Sequence, residues 1–230
     1  MVLAIYLSHL VADYVLQWDG LALWKSREYK GVLVHGSIVL LVTWLLSLPF
    51  DAGWWPWALF IGLTHTAVDA IRLRLGNALS ALALFLLDQT VHLSLITFAL
   101  ASSGYLAAPS LLADLASVLD DNRVWVYALG FVFVTMPAWV LVEFVAYALA
   151  NGSAPDFGQA ANKYVSSLER GLMTVFVMLG QFALVPLVGL PRLVIEWRQV
   201  ASSPALRCTS PSAPALQHAA GRDADVLRRV

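Results

Sequence analysis

Three His/Asp pairs stand out in the chain, each with a spacing of four residues: His9 and Asp13, His65 and Asp69, and, in reversed order, Asp88 and His92. On a helix that spacing puts both side chains on one face, one turn apart. His35 lies between the first two pairs, so the first hundred residues hold four of the five histidines. Neutral imidazoles together with carboxylates are ordinary ligands for zinc and other divalent ions. Carboxylates beside metal-bound imidazoles also act as bases or fix the ring tautomer. The candidate set is therefore His9, His35, His65 and His92 as metal ligands, with Asp13, Asp69 and Asp88 as catalytic carboxylates. Without sulfur ligands the set does not choose zinc over manganese or iron.

All seven residues fall in apolar sequence. Of the 230 residues, 60% are hydrophobic and 13% charged, with a mean hydropathy of +0.73. A soluble domain is about half apolar and a quarter charged, so this composition indicates a polytopic membrane protein. Apolar segments fall at about 1–18, 32–50, 54–75, 79–101, 124–149 and 171–190, each near the roughly 20 residues that cross a bilayer. The expected fold is all-α, a transmembrane helical bundle of about six segments over residues 1–198, followed by a disordered polar tail at 199–230. The first segment has no basic leader and contains His9 and Asp13, so it reads as a retained helix rather than a cleaved signal. Trp18, Trp24, Trp54, Trp55, Trp57 and Trp125 fall near segment ends, as an interfacial aromatic belt would.

Lys25, Arg27 and Lys30 in the first connection, and Arg72 and Arg74 beside the third, place those connections in the cytoplasm and the N-terminus outside. The second connection has Asp51 and no basic residue, and the fourth carries Asp114, Asp120 and Asp121. Six crossings would leave Arg192, Arg198 and Arg207 outside. Either the last segment is not a simple span, or Pro137 breaks the fifth. With this topology the first and third helices run inward and the fourth runs outward. Inverting the motif on the fourth helix then puts His9, His65 and His92 in one layer. Asp13, Asp69 and Asp88 form a second layer about one turn, roughly 5 Å, nearer the cytoplasm. His35 enters from the cytoplasmic end of its helix, closer to the aspartates.

An ionisable side chain in a bilayer costs a few kcal/mol and so needs a partner, water or a metal. Gln17 and Gln89 are expected hydrogen-bonding partners of the cluster. Glu143 is a possible outlying member, and Glu169 and Arg170 are supporting residues that read first as a helix-end pair. Arg72 and Arg74 are expected at lipid headgroups, with holding an anionic substrate as the alternative. Net charge of −1 and the lack of any Lys/Arg-rich run exclude an argument for nucleic acid. Cys208, the single cysteine, offers no disulfide framework. No serine elbow, phosphate-cradling glycine loop or HExxH helix proposes another mechanism.

The segments Ser8-His9-Leu10-Val11-Ala12-Asp13-Tyr14-Val15-Leu16-Gln17, the His35 region, Thr64-His65-Thr66-Ala67-Val68-Asp69 and Phe85-Leu86-Leu87-Asp88-Gln89-Thr90-Val91-His92 resemble an uncharacterised bacterial integral membrane family, domain of unknown function 3307. Ser167-Leu168-Glu169-Arg170 through Leu179-Gly180-Gln181 extends the resemblance, which covers most of residues 1–198. It implies a multi-helix membrane fold and brings no established reaction. By motif type alone, the His/Asp pattern is also similar to membrane-bound metal-dependent hydrolases.

The leading expectation is a multi-pass protein of the bacterial inner (plasma) membrane with a divalent-metal site, zinc for example, in the cytoplasmic half of the bilayer. That site would hydrolyse a lipid or lipid-linked substrate. The alternatives are a small ion- or proton-coupled transporter, and a structural or partner-binding protein in which the pairs are interhelical glue.

Overall fold

The computed structural model describes residues 1–75, 79–106, 123–150 and 163–202. The described residues are helical, with short turns. The acidic residues Asp114, Asp120 and Asp121, Cys208 and the tail from 203 lie outside them.

Helix α1 (Val2–Leu10) runs directly into a π-helical turn, Val11–Val15, and together they form a 14-residue apolar rod. A short helix α2 (Asp19–Lys25) leads to α3 (Tyr29–Ser47). Pro49 and Phe50 lie in a turn, and Asp51 then caps a 3-10 turn, Ala52–Trp54, by accepting from the Gly53 amide at 2.8 Å. The chain continues into α4 (Trp55–Leu75), with Pro56 in its first turn, where a missing N–H costs nothing. Ser80 caps α5 (Ala81–Ser102) by accepting from the Ala83 amide.

Helices α6 (Arg123–Thr135) and α7 (Pro137–Ala150) are two halves of one apolar rod, interrupted at Met136. Pro137 has no N–H and clashes with the preceding turn, which accounts for the break. Helix α8 (Lys163–Met178) stops at Gly180, whose φ of 70° only glycine adopts without strain. The Gln181 amide donates back to Phe176 at 2.8 Å and the Gly180 amide to Val177 at 3.0 Å, a Schellman C-cap. The apolar sequence expected as one span at 171–190 is therefore split. A 3-10 turn, Phe182–Leu184, precedes α9 (Val185–Ser202), which contains Pro191 and belongs to a second compact unit, 183–230.

Three helical segments are long and apolar enough to cross a membrane: Tyr29–Ser47, Ala81–Ser102 and Arg123–Ala146. These correspond to the second, fourth and fifth segments of the sequence reading. The first is a shorter rod. Helix α4 has spanning length, at 21 residues, but carries His65, Asp69, Arg72 and Arg74.

Within the first unit (1–182), α3 lies between α1 and α4, α5 packs on α4 and α1, and α2 packs on α3. Helix α6 packs against α1, α7 and α8. The core that joins these helices is built from Ile5, Val39, Ala58, Ile61, Ile96 and Ala99. Each of these lies on the side of its helix's histidine away from the nearest aspartate. Trp54 joins this core at 2% exposure instead of lying in the aromatic belt, whereas Trp18 and Trp55 are well exposed. Two hydroxyl links tie the same half together, Ser8 to Thr43 at 3.1 Å and Tyr6 to Thr97 at 2.7 Å.

Candidate metal centre

Backbone geometry delivers the ligands. Asp13 sits in the π-helical turn, and the Leu16 amide closes that turn by reaching back five residues to Val11 at 2.8 Å. One extra residue in the turn re-aims the side chains that follow, and such turns often occur at functional sites. Here Asp13 Oδ1 faces the Nε2 atoms of His35 at 3.3 Å and His65 at 3.5 Å, as well as His9 Nδ1 at 3.7 Å. Nothing in the sequence signals the π turn.

Close approach of α3 and α4 does the rest. A Cβ built on Gly36 would overlap Thr66 Oγ1, so only glycine fits there. Gly36 and Thr66 each directly follow a histidine, and the Nε2 atoms of His35 and His65 are 3.1 Å apart. A Cβ on Gly31 would likewise meet the Lys25 backbone nitrogen at 2.5 Å, so α2 is pressed against the start of α3. This brings Lys25 Nζ to 3.1 Å from Asp69 Oδ2.

The four imidazoles form one group. Ring centroids lie 4.0 Å apart for His65 and His92, which are stacked, 5.6 Å for His9 and His92, 5.8 Å for His9 and His65, and 5.1 Å for His35 and His65. None is more than 2% exposed. Asp69 Oδ2 lies 3.7 Å from His35 Nε2 and 3.6 Å from His65 Nε2, and Asp88 Oδ2 lies 3.8 Å from His92 Nδ1. Gln89 bridges two pairs, its Oε1 3.3 Å from His9 Nε2 and its Nε2 donating to Asp88 at 3.2 Å.

Two cations complete the group. Lys25 pairs with Asp69. Arg72 is not turned to lipid headgroups: its Nη1 is 2.8 Å from Asp88 Oδ2. Both keep partial side-chain exposure, 20% and 39%. Arg74 does face outward, donating to the Tyr29 hydroxyl at 2.8 Å.

Other expected members stay apart. Gln17 makes no hydrogen bond to the cluster, and its Oε1 is buried without a partner. Glu143, in α7, is half-buried and forms no ion pair with any of these groups among the described residues. Arg170 reaches across to the interrupted rod, where its Nε and Nη2 donate to the Thr135 carbonyl at 3.1 and 2.9 Å and the Ser167 hydroxyl adds a third bond at 3.1 Å. Its guanidinium lies 5.9 Å from the Trp139 ring centre. Glu169, its neighbour on α8, has a partner of its own.

The donors fit a metal ion. A tetrahedral zinc with bonds of about 2.0–2.1 Å has donor–donor separations near 3.3–3.5 Å. His35 Nε2, His65 Nε2 and Asp13 Oδ1 are separated by 3.1, 3.3 and 3.5 Å. Asp13 Oδ1 is also buried without a hydrogen-bond partner, as are Nδ1 of His9 and His35 and both ring nitrogens of His92. A buried polar atom left unpaired costs about 1–3 kcal/mol, and a bound ion or ordered water is what satisfies so many in one place. His9, Asp13 and His65, and separately His35, His65 and Asp69, also bring one donor each within 4.8 Å.

A family model described as a protein of unknown function (DUF3307) matches residues 1–118. That span contains every histidine and aspartate of the centre together with Lys25 and Arg72. No curated protein and no solved structure matches.

Proposed function

We propose that this chain, which belongs to the DUF3307 family, is an integral membrane protein whose buried His/Asp centre binds a divalent metal and hydrolyses a lipid or lipid-linked substrate. The observation that carries the proposal is the triangle of His35 Nε2, His65 Nε2 and Asp13 Oδ1, with edges of 3.1–3.5 Å. Two imidazoles and one carboxylate with a fourth position left over is the ligand pattern of hydrolytic zinc sites, whereas structural sites use all four positions for protein. A divalent ion there supplies Lewis acidity and lowers the pKa of a bound water.

Asp69 Oδ2, 3.6–3.7 Å from both Nε2 atoms, faces the fourth position. It is suited to orient a water or to take its proton, and Lys25 holds the carboxylate in place. His9, bridged to Asp88 through Gln89, steadies Asp13 from the other side.

Access favours an enzyme over a conduit. The polar groups open toward Lys25 and Arg72, and the apolar layer around Ile5, Val39, Ile61 and Ile96 closes the opposite side. A proton or ion crossing the protein would have to pass that layer. Membrane residence is supported by the three spanning-length helices and by apolar side chains exposed along the α6–α7 rod, such as Val124, Phe133 and Val142. The basic residues beside these openings favour a cytoplasmic-side site, in keeping with residence in a bacterial inner membrane.

The test is hydrolysis in mixed micelles carrying phosphatidic acid, phosphatidylglycerol or a carboxyl-ester lipid. Turnover of one class, abolished by chelation and by His65→Ala and restored by added metal in the wild type only, supports the reading. Metal-independent, pH-driven flux in proteoliposomes would favour a relay. Substitutions that lower only the melting temperature would favour structural pairing.

A further inference from the structure

The triangle that accounts for the first ion leaves His92 and Asp88 unused. His92 is 2% exposed, and both of its ring nitrogens lack a hydrogen-bond partner. A neutral imidazole buried in this way has one donor and one acceptor unsatisfied, which a packing role does not explain. Asp88 shows the same deficit at one oxygen. Arg72 engages its Oδ2 at 2.8 Å, while Oδ1 is buried with no partner. Asp69 completes the set, since Asp69, Asp88 and His92 each bring a donor atom within 4.8 Å of the others. Three atoms no more than 4.8 Å apart lie within about 2.8 Å of a common point, so small side-chain adjustments bring one ion to bonding distance of all three.

Resting on the metal reading above, we infer that Asp69, Asp88 and His92 hold a second divalent cation, with Asp69 lying between that ion and the open position of the first. His92 stacks on His65 with ring centres 4.0 Å apart, which keeps the second ion beside the first. Paired ions about 3.5–4 Å apart clamp the attacking and leaving oxygens of a displacement at phosphorus or at a carbonyl. Charge sets the order of filling. Three carboxylates against Lys25 and Arg72 leave one negative charge, so the first ion brings the centre to +1 and the second to +3. The second ion therefore binds more weakly and brings an anion with it.

Equilibrium dialysis of the full-length protein in detergent against zinc, and in parallel against manganese, tests this. Two ions per wild-type chain at saturation, the second bound more weakly, and one per chain in Asp88→Asn and in His92→Gln are the expected results. Spin coupling should also broaden the manganese resonance of the wild type, while each variant keeps the sharp six-line signal of an isolated ion. Wild-type saturation at one ion overturns the second site and leaves the first standing. So does a second ion that persists in both variants. Binding of no ion overturns both. Unchanged melting of His92→Gln without metal separates lost ligation from lost folding.

Discussion

The Nε2 atoms of His35 and His65 face each other across 3.1 Å, and Asp13 Oδ1 faces both. Two neutral imidazoles share such a contact only if one donates to the other, which leaves the remaining nitrogens and the carboxylate poorly served. A cation among the three satisfies them together.

Gly36 is what permits that contact. Gly36→Ala would drive a methyl into Thr66 Oγ1 and push α3 from α4. It should weaken metal binding by at least about tenfold, or about 1.4 kcal/mol. The double variant with Thr66→Ala should recover most of the affinity, because removing the hydroxyl leaves only the Thr66 Cβ, at 3.0 Å, as a close neighbour. Metal titration of the three proteins checks this; failure of the double variant to improve on Gly36→Ala would show that helix spacing is not the cause.

Lys25 balances Asp69 when no metal is present. Lys25→Met should destabilise the metal-free protein by about 1–2 kcal/mol, less than the roughly 3–5 kcal/mol of a fully buried broken pair, because the lysine keeps 20% exposure. Added metal should restore more melting temperature in Lys25→Met than in the wild type, since it replaces the missing positive charge. Thermal melts with and without metal decide it.

Arg170 ties α8 to the interrupted α6–α7 rod through Thr135 and Trp139. Arg170→Met removes two charge-assisted bonds to the Thr135 carbonyl and should cost about 1–3 kcal/mol. Faster proteolysis between α6 and α8 would register that loss, while metal content stays at the wild-type level. Loss of the metal in this variant would place Arg170 with the ligands after all.

Protons compete with the metal for imidazole, so occupancy should fall as pH drops from about 7.5 to about 5 and recover on return. Outside the helices, the Tyr105 hydroxyl donates to Asp51 Oδ2 at 3.0 Å, and partial burial first, then that carboxylate, raises the phenol above its ordinary value. A raised acid stabilises the fold below the unfolded pKa, and the contribution is lost as pH rises through the folded value. Tyr105→Phe should therefore lower the melting temperature slightly at neutral pH, and the difference should shrink as the pH rises above the ordinary phenol pKa of about 10, which paired melts can read.

Helix spacing made the pairing of His and Asp legible in sequence, since period 3.6 fixes which residues share a face. The inverted order on α5 gave the matching depth of the histidines. Their partners were less visible, because Lys25 and Arg72 are brought to Asp69 and Asp88 by tertiary packing that no spacing encodes. Both had been read for the side of the membrane they face. The π turn that aims Asp13 leaves no compositional mark, and Gly36 looked like any helical glycine until α4 was set against it. Gly180 did carry a stop signal, but a continuous apolar run hid it; Pro137 was legible because its missing N–H acts locally.

The metal content of the detergent-purified protein tests the central claim most directly, with wild type compared against His65→Ala and Asp13→Ala and with Arg170→Met as a folded control. Near-stoichiometric metal in the wild type and the control, lost in both site variants, is the predicted result. A wild-type protein that carries no metal even after loading with zinc, manganese or iron would contradict the account.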